Sequence, residues 1–268
     1  MAKVAASILN KGTAYITGAG SGIGQYAAYS FAKYGAKNLA LTDVNPKSLE
    51  TTIAQLKKDY PEVQTLAITM DTSKEADVDR SIAETVAKFG RLDYAVNNAG
   101  IGGAPKGTVD LSIDDFNRTC SINLSGVWMC QRAQLRVMLK QDELSIREGR
   151  GAIVNVASML GTVATSPSTP AAAYGATKFA VMGITKTDAV MYAPQKIRIN
   201  AMCPGYVETP LLRSATSAGA MDHELTKVPM GRLAKMEEIG DAIVFLCSPM
   251  SSFMTGHGLL VDGGYTVQ

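Results

Sequence analysis

The sequence predicts an α/β architecture: a doubly wound, seven-stranded parallel sheet with helices on both faces, forming a single domain. Three observations carry this. Strand-like and helix-like segments alternate along nearly the whole chain, a glycine-rich turn joins the first strand to the first helix, and an acid ends the second strand. Strictly alternating elements with right-handed crossovers can close only a parallel sheet, whose ligands gather beyond the carboxyl ends of the strands. The 268 residues, 46% of them hydrophobic, suffice for one large core.

The elements follow in order. Thr13–Thr17 is a short apolar run, and Thr17-Gly18-Ala19-Gly20-Ser21-Gly22-Ile23-Gly24 follows it. In this turn Gly18 permits a tight exit from the strand, Gly22 lets the backbone approach a pyrophosphate, and Gly24 lets the new helix pack closely. The phosphates then meet a helix N-terminus, whose free N–H groups and dipole attract anions, and Ser21 adds a hydroxyl donor. Ile23, Ala27 and Phe31 stripe the helix, and Gly35 marks its end. A second strand, 38–42, leads to Asp43, nineteen residues past Gly24, near where a dinucleotide fold places its ribose-binding carboxylate.

Pro46 opens a second helix with Leu49, Ile53 and Leu56 on one face, stopping before Pro61. A third strand spans 63–70. Thr72-Ser73-Lys74-Glu75 has the form of a capping box ahead of a helix striped by Val78, Ile82 and Val86. Strand 92–96 ends in Asn97-Asn98-Ala99-Gly100, and a long helical region, 113–140, precedes strand 152–156. Within that region Asn123 is a mediocre helix former, suited to distorting the helix or holding water. A helix over Ala172–Tyr192, a strand over 197–202, a helix striped by Ile239, Ile243 and Leu246, and a short last strand at Gly258–Val261 complete the pattern.

Composition narrows the function. A formal charge of +2 without Lys/Arg runs argues against nucleic acid or an anionic membrane as partner, and no apolar stretch approaches membrane-spanning length. Residues 1–12 lack the pattern of a signal peptide, so a cytoplasmic location is expected. Cys120, Cys130, Cys203 and Cys247 form no CxxC pair, and His223 and His257 lie far apart, so no metal site is expected and the cysteines read as core thiols.

The chemistry is expected at Tyr174-Gly175-Ala176-Thr177-Lys178, because four residues on a helix bring Tyr174 and Lys178 to one face. A free phenol titrates near 10, and an adjacent ammonium favours its ionised form. Taken alone, the pair reads more readily as a Tyr and a Lys on a half-exposed helix; Ser158 and the motifs around it reverse that balance. Ser158, at the end of its strand, is placed to bind a carbonyl oxygen.

With TGxxxGxG, NNAG, a serine, YxxxK, PG and VDGG in this order from Thr17 to Gly264, the chain resembles the short-chain dehydrogenase/reductase family. The resemblance implies that Tyr174 is the general acid/base, Ser158 orients the substrate oxygen, Lys178 binds the nicotinamide ribose and Asn123 holds a water on the proton path. It implies a cofactor site made by Gly18, Ser21, Gly22, Ile23, Gly24, Asp43, Asp71 (toward the adenine amino group), Thr72, Asn98, Ala99, Gly100, Tyr174 and Lys178. Pro204, Gly205, Val207 and Thr209 join it over the nicotinamide, the Val207 backbone and the Thr209 hydroxyl as carboxamide partners. It also implies a homotetramer with the 113–140 helix at an interface.

The expected activity is hydride transfer between NAD and a small-molecule secondary alcohol or ketone, apolar or ring-bearing. Asp43 favours NAD over NADP, because a 2′-phosphate would bring a second anion to the carboxylate. Alternatives remain: Asp43 as a turn residue or helix cap, Lys47 admitting NADP to a ketoreductase, and a catalytically silent NAD-binding scaffold. Fifteen residues separate Ser158 from Tyr174, more than the family usually has, and the excess around 165–170 is expected to border the pocket. Segment 206–234, with Leu211, Leu212, Met221, Leu225, Val228 and Met230, has the character of a lid over an apolar ligand, with ordinary core as the alternative reading of these residues and polyols and acyl thioesters as alternative substrates.

Overall fold

The computed structural model describes residues 8–9, 12–215 and 220–267, and the side chains of 214–215 and 220–221 are not among those described. The expectation about a signal peptide rests on 1–12, most of which lies outside the described residues, and the side chain of Met221 in the expected lid lies outside them too.

Seven parallel strands form one sheet: β1 (Thr13–Thr17), β2 (Asn38–Asp43), β3 (Gln64–Thr69), β4 (Tyr94–Asn97), β5 (Gly151–Val156), β6 (Ile197–Pro204) and β7 (Gly258–Val261). Their spatial order is β3-β2-β1-β4-β5-β6-β7, so the sheet changes winding direction between β1 and β4. Ligands of open α/β sheets bind at such a switch point, outside the carboxyl ends.

Adjacent side chains of a strand point to opposite faces, and both faces are buried here. On β1, Ile16 enters a core with Phe31, Leu41, Val96, Val154 and Ile243, whereas Tyr15 enters a second core with Val78, Ala95, Met138, Ile153 and Ile199. The first core is closed by α1 (Gly22–Lys33), α2 (Pro46–Asp59) and α9 (Met236–Cys247). The second is closed by α3 (Glu75–Phe89) and α5 (Val127–Met138), with residues at the end of α6 (Ala172–Tyr192). Between β6 and α9 lie two short helices, α7 (Pro210–Ala215) and α8 (Ala220–Thr226).

Two local expectations need correction. The capping box at Thr72 does not form: the helix starts at Glu75, without a side-chain cap from Lys74. Thr72 is buried and abuts Gly126, where an added Cβ would meet it at 3.1 Å, so Thr72 is committed to packing. The 113–140 helix is not continuous either. It consists of α4 (Ile113–Cys120), a π-helical turn at Ser121–Gly126 and α5, and the distortion encloses Asn123. Single π turns inside helices frequently accompany functional sites. Cys130, Cys203 and Cys247 are buried, Cys120 is half-buried, and all four are free thiols.

Candidate active site

A groove crosses the carboxyl ends of the central strands. One half is lined by Gly18, Ser21, Gly22, Asp43, Asp71 and Thr72, the other by Ser158, Tyr174, Lys178, Pro204 and Gly205. Ile23, Asn98, Gly100, Thr209 and Leu211 line both halves, so the cleft is continuous.

The glycine turn fits an anion. Gly18 has φ +65°, and a Cβ on Gly24 would lie 2.3 Å from the Gly18 carbonyl oxygen, so the start of α1 approaches the strand end as only glycine allows. Ser21 precedes α1 in extended backbone without capping the helix, and no acid occupies the first turn. An N-terminus so arranged favours phosphate. Asn98 braces the turn from β4: its amide donates to the Thr17 carbonyl at 3.0 Å, while the backbone N–H groups of Asn98 and Ala99 donate to the Thr17 hydroxyl at 2.9 and 3.0 Å.

At the far end, the Asp43 carboxylate accepts the N–H of Gly20 and of Asn45, both at 3.0 Å. The helix cap of α2 is Asn45, whose side chain accepts from Lys47 and Ser48 N–H, so the alternative of Asp43 as that cap is not realised. The Asp71 carboxylate holds Ser73 and lies 3.8 Å from the Lys74 ammonium.

At the other end Tyr174 and Lys178 share the cleft face of α6, with the Lys178 nitrogen 5.4 Å from the Tyr174 ring centroid. Lys178 is buried and donates to the Val156 carbonyl at 2.7 Å, and desolvation pushes its pKa down to about 8. From its spacing, Lys178 is expected to lower the Tyr174 pKa. In the protein itself desolvation of the phenol prevails and raises it, while Ser158, opposite the hydroxyl, pulls it back. Ser158 also accepts the N–H of Leu160 at 3.1 Å, which fixes its side chain at the end of β5. Ser166 and Ser168 bond to each other at 2.8 Å, outside this cluster.

Asn123 is fully buried, with its side chain engaged by Ile101: Oδ1 accepts the Ile101 N–H and Nδ2 donates to the Ile101 carbonyl, both at 2.8 Å. Thr209 accepts the Leu212 N–H at 3.1 Å, and its own N–H donates to the Val207 carbonyl at 2.7 Å.

The residues 18–266 match the family described as enoyl-(acyl carrier protein) reductase. A short-chain dehydrogenase of Penicillium roqueforti is 37% identical over 96% of each chain, and the cyclohexanol dehydrogenase of Acinetobacter sp. is 34% identical over 99% of each. The chain is a short-chain dehydrogenase/reductase. The crystal structure of the 3-ketoacyl-(acyl-carrier-protein) reductase of Brucella melitensis, complexed with NADH, matches with a TM-score of 0.85 and 37% identity, covering 97% of this chain and 100% of that one. This short-chain dehydrogenase/reductase is an oxidoreductase, and its family uses a nicotinamide cofactor.

The inserted segment does border the cleft: Thr169, Pro170 and Ala171 line it together with Tyr206, whose hydroxyl the Thr169 side chain neighbours. Of the apolar residues expected in the lid, Leu211 and Leu212 line the cleft, Val228 is buried near Gly263, and Met230 is 62% exposed. Glu224, fully buried in α8, carries no motif that marks it in the sequence.

Proposed function

We propose that this short-chain dehydrogenase/reductase uses NAD to interconvert a neutral, apolar or ring-bearing secondary alcohol and its ketone. The observation that carries the proposal is the substrate half of the cleft, whose described lining has Lys178 as its one charged side chain and sets Pro105, Met159, Leu160, Pro170, Leu211 and Leu212 around Ser158 and Tyr174, with Thr169 and Tyr206 as further neutral polar groups. With Lys178 committed to the cofactor ribose in this reading, such a wall keeps no cation for a substrate carboxylate or phosphate and suits a neutral, apolar ring.

In this reading the bound cofactor supplies or accepts the hydride. Ser158 donates a hydrogen bond to the substrate oxygen, and Tyr174, protonated at neutral pH, gives its proton to that oxygen during reduction and takes one back during oxidation. Lys178 holds the cofactor ribose and places positive charge beside the phenol. The Asn123 side chain is occupied by Ile101, so a water of the proton path would rest on its backbone carbonyl, which the π turn is suited to turn outward. Val207 and Thr209 meet the carboxamide, and Asp71 and Thr72 the adenine end. Residues 206–234 act as the lid.

We further propose a cytoplasmic homotetramer. Three buried, unpaired thiols fit a reducing compartment, and Ile113, Phe116 and Trp128 expose apolar surface along α4 and α5.

The deciding experiment follows NADH absorbance at 340 nm with cyclohexanol, a polyol, cyclohexanone and a 3-ketoacyl thioester, each with both nicotinamide cofactors. Turnover of the cyclic pair with NAD(H) is expected. Faster turnover of the thioester would assign the chain to acyl reduction, and silence throughout, with NADH bound, would make it a scaffold.

A further inference from the structure

Beyond the groove, one buried carboxylate gathers four segments that are distant in sequence. Glu224 Oε1 accepts from the Ser168 hydroxyl at 2.6 Å and the Lys227 ammonium at 2.8 Å, and Oε2 accepts from the Tyr206 and Tyr265 hydroxyls, both at 3.0 Å. Four donors match the four acceptor sites of a carboxylate. Lys227 also donates to Ser166 at 3.1 Å, and the two tyrosine rings meet edge to face with centroids 5.6 Å apart. The joined pieces are the inserted segment before α6, the segment after β6, helix α8 and the C-terminal turn at Tyr265–Val267.

This junction stands directly behind the outer wall of the cleft. Ser168 adjoins Thr169 and Pro170, which line the cleft, and Tyr206 is itself a lining residue. The insertion, Thr165-Ser166-Pro167-Ser168-Thr169-Pro170, has no large apolar side chain with which to pack, so a polar anchor must hold it. A carboxylate serves that purpose where a neutral amide does not, because an amide cannot accept from four donors and its NH₂ would face them. Burial opposes the charge, but hydrogen bonds, foremost those from Lys227 and Ser168, hold the Glu224 pKa down at about 2. Sign and charge therefore stay constant across the working pH range. The junction is a fixed strut with no pH switch in it.

We propose that Glu224 is a positioning residue for substrate selection, setting the distance of the inserted segment from Tyr206 and hence the width of the substrate half of the cleft. This rests on the alcohol/ketone reading of the site for its kinetic consequence but not for its structural one. Glu224 lies outside the groove that contains Tyr174 and Asp43, so it acts on substrate fit without touching the reacting atoms or the cofactor.

The test uses the full chain and the variants Glu224→Gln, Ser168→Ala and Tyr265→Phe. Hydrogen exchange read by mass spectrometry should show the amides of 163–171 exchanging at least tenfold faster in Glu224→Gln, with β1 and α1 unchanged. In the kinetic arm, KM for cyclohexanol should rise at least tenfold while KM for NAD stays within twofold. Ser168→Ala and Tyr265→Phe, each removing one donor, should show the same pattern more weakly, and they keep the test open if Glu224→Gln fails to fold. Unaltered exchange at 163–171 in the folded variants, or equal changes in KM for NAD and cyclohexanol, would overturn the proposal. If the wild-type chain turns over no alcohol, the functional reading fails, and the exchange arm still decides whether Glu224 positions the insertion.

Discussion

Lys178 donates to the Val156 carbonyl at 2.7 Å while its nitrogen stays 5.4 Å from the Tyr174 ring centroid. The contact with β5 anchors the ammonium beside the phenol without consuming it, since an ammonium has two further donors for a ribose. A raised Tyr174 pKa keeps the phenol protonated at neutral pH. Ketone reduction, which consumes that proton, should therefore be steady below neutrality and fall as pH rises, whereas alcohol oxidation, which needs the phenolate, should climb with pH. Replacing Lys178 by Met should move both midpoints upward, because the positive charge near the phenol is lost. Flat pH profiles of kcat/KM for both directions would contradict this assignment.

Tyr174→Phe removes the transferable proton and leaves the ring. Turnover should fall by about 10²–10⁴, the usual contribution of a general acid/base, with NADH binding preserved in a fluorescence titration. Retention of more than a tenth of wild-type turnover would show that another group carries the proton.

A Cβ at position 24 would intrude on the Gly18 carbonyl oxygen and on the Asn98 amide, at 2.3 and 2.5 Å. The carbonyl belongs to the turn and the amide is the group that braces it, so neither retreats without breaking that contact. Gly24→Ala should thus cost about 1–3 kcal/mol of stability, as overpacking does, and weaken NADH binding more than substrate binding. Urea denaturation and NADH titration measure the two effects, and a variant of wild-type stability and affinity would show that the turn is less constrained than its contacts indicate.

What the sequence reveals and conceals follows from the range of the interactions. Strands buried on both faces read as apolar runs, so β1 is legible to the residue and β2, β5 and β6 nearly so, while β7, only half-buried, is legible from its own short apolar run, Leu259-Leu260-Val261, after Gly258. The start of β4 is not. Leu92 gives its N–H to Gln141, and Asp93 accepts the N–H of Thr13, partners that local pattern does not reveal. The Thr72 motif misleads because Thr72 abuts Gly126, on an element over fifty residues away. Asn123, by contrast, marks its π turn through poor helix propensity. Glu224 had no local signal, since its partners at 168, 206 and 265 meet only in the folded chain.

Shortening the insertion at 165–170 should alter substrate preference more than cofactor affinity, because Thr169 and Pro170 line the substrate half of the groove and are absent from the adenosine half. Rates for a series of cyclic and linear ketones should change order, while KM for NADH moves by less than about threefold. Equal losses for every ketone would instead mark the insertion as a general structural support.

The choice between nicotinamide cofactors turns on Asp43 at the end of β2. Its two carboxylate oxygens each accept one backbone N–H, from Gly20 and Asn45, at 3.0 Å. An ionised carboxylate retains further acceptor capacity, enough for two ribose hydroxyls. The described lining of this half of the groove includes two acids, Asp43 and Asp71, and neither lysine nor arginine. A 2′-phosphate would bring a further anion beside Asp43 with no cation to offset it. Lys47, in the first turn of α2, is exposed and does not line the groove, so reaching the phosphate would require its flexible side chain to fold back over Val44. NAD should therefore be preferred by at least tenfold in kcat/KM, equivalent to about 1.4 kcal/mol of discrimination. Asp43→Ala should reduce or reverse that ratio by removing both the hydroxyl acceptor and the repulsion. Kinetics with the two cofactors in wild type and variant measure the change, and a wild-type enzyme that works better with NADP would overturn the role given to Asp43 while leaving Tyr174 and the fold untouched.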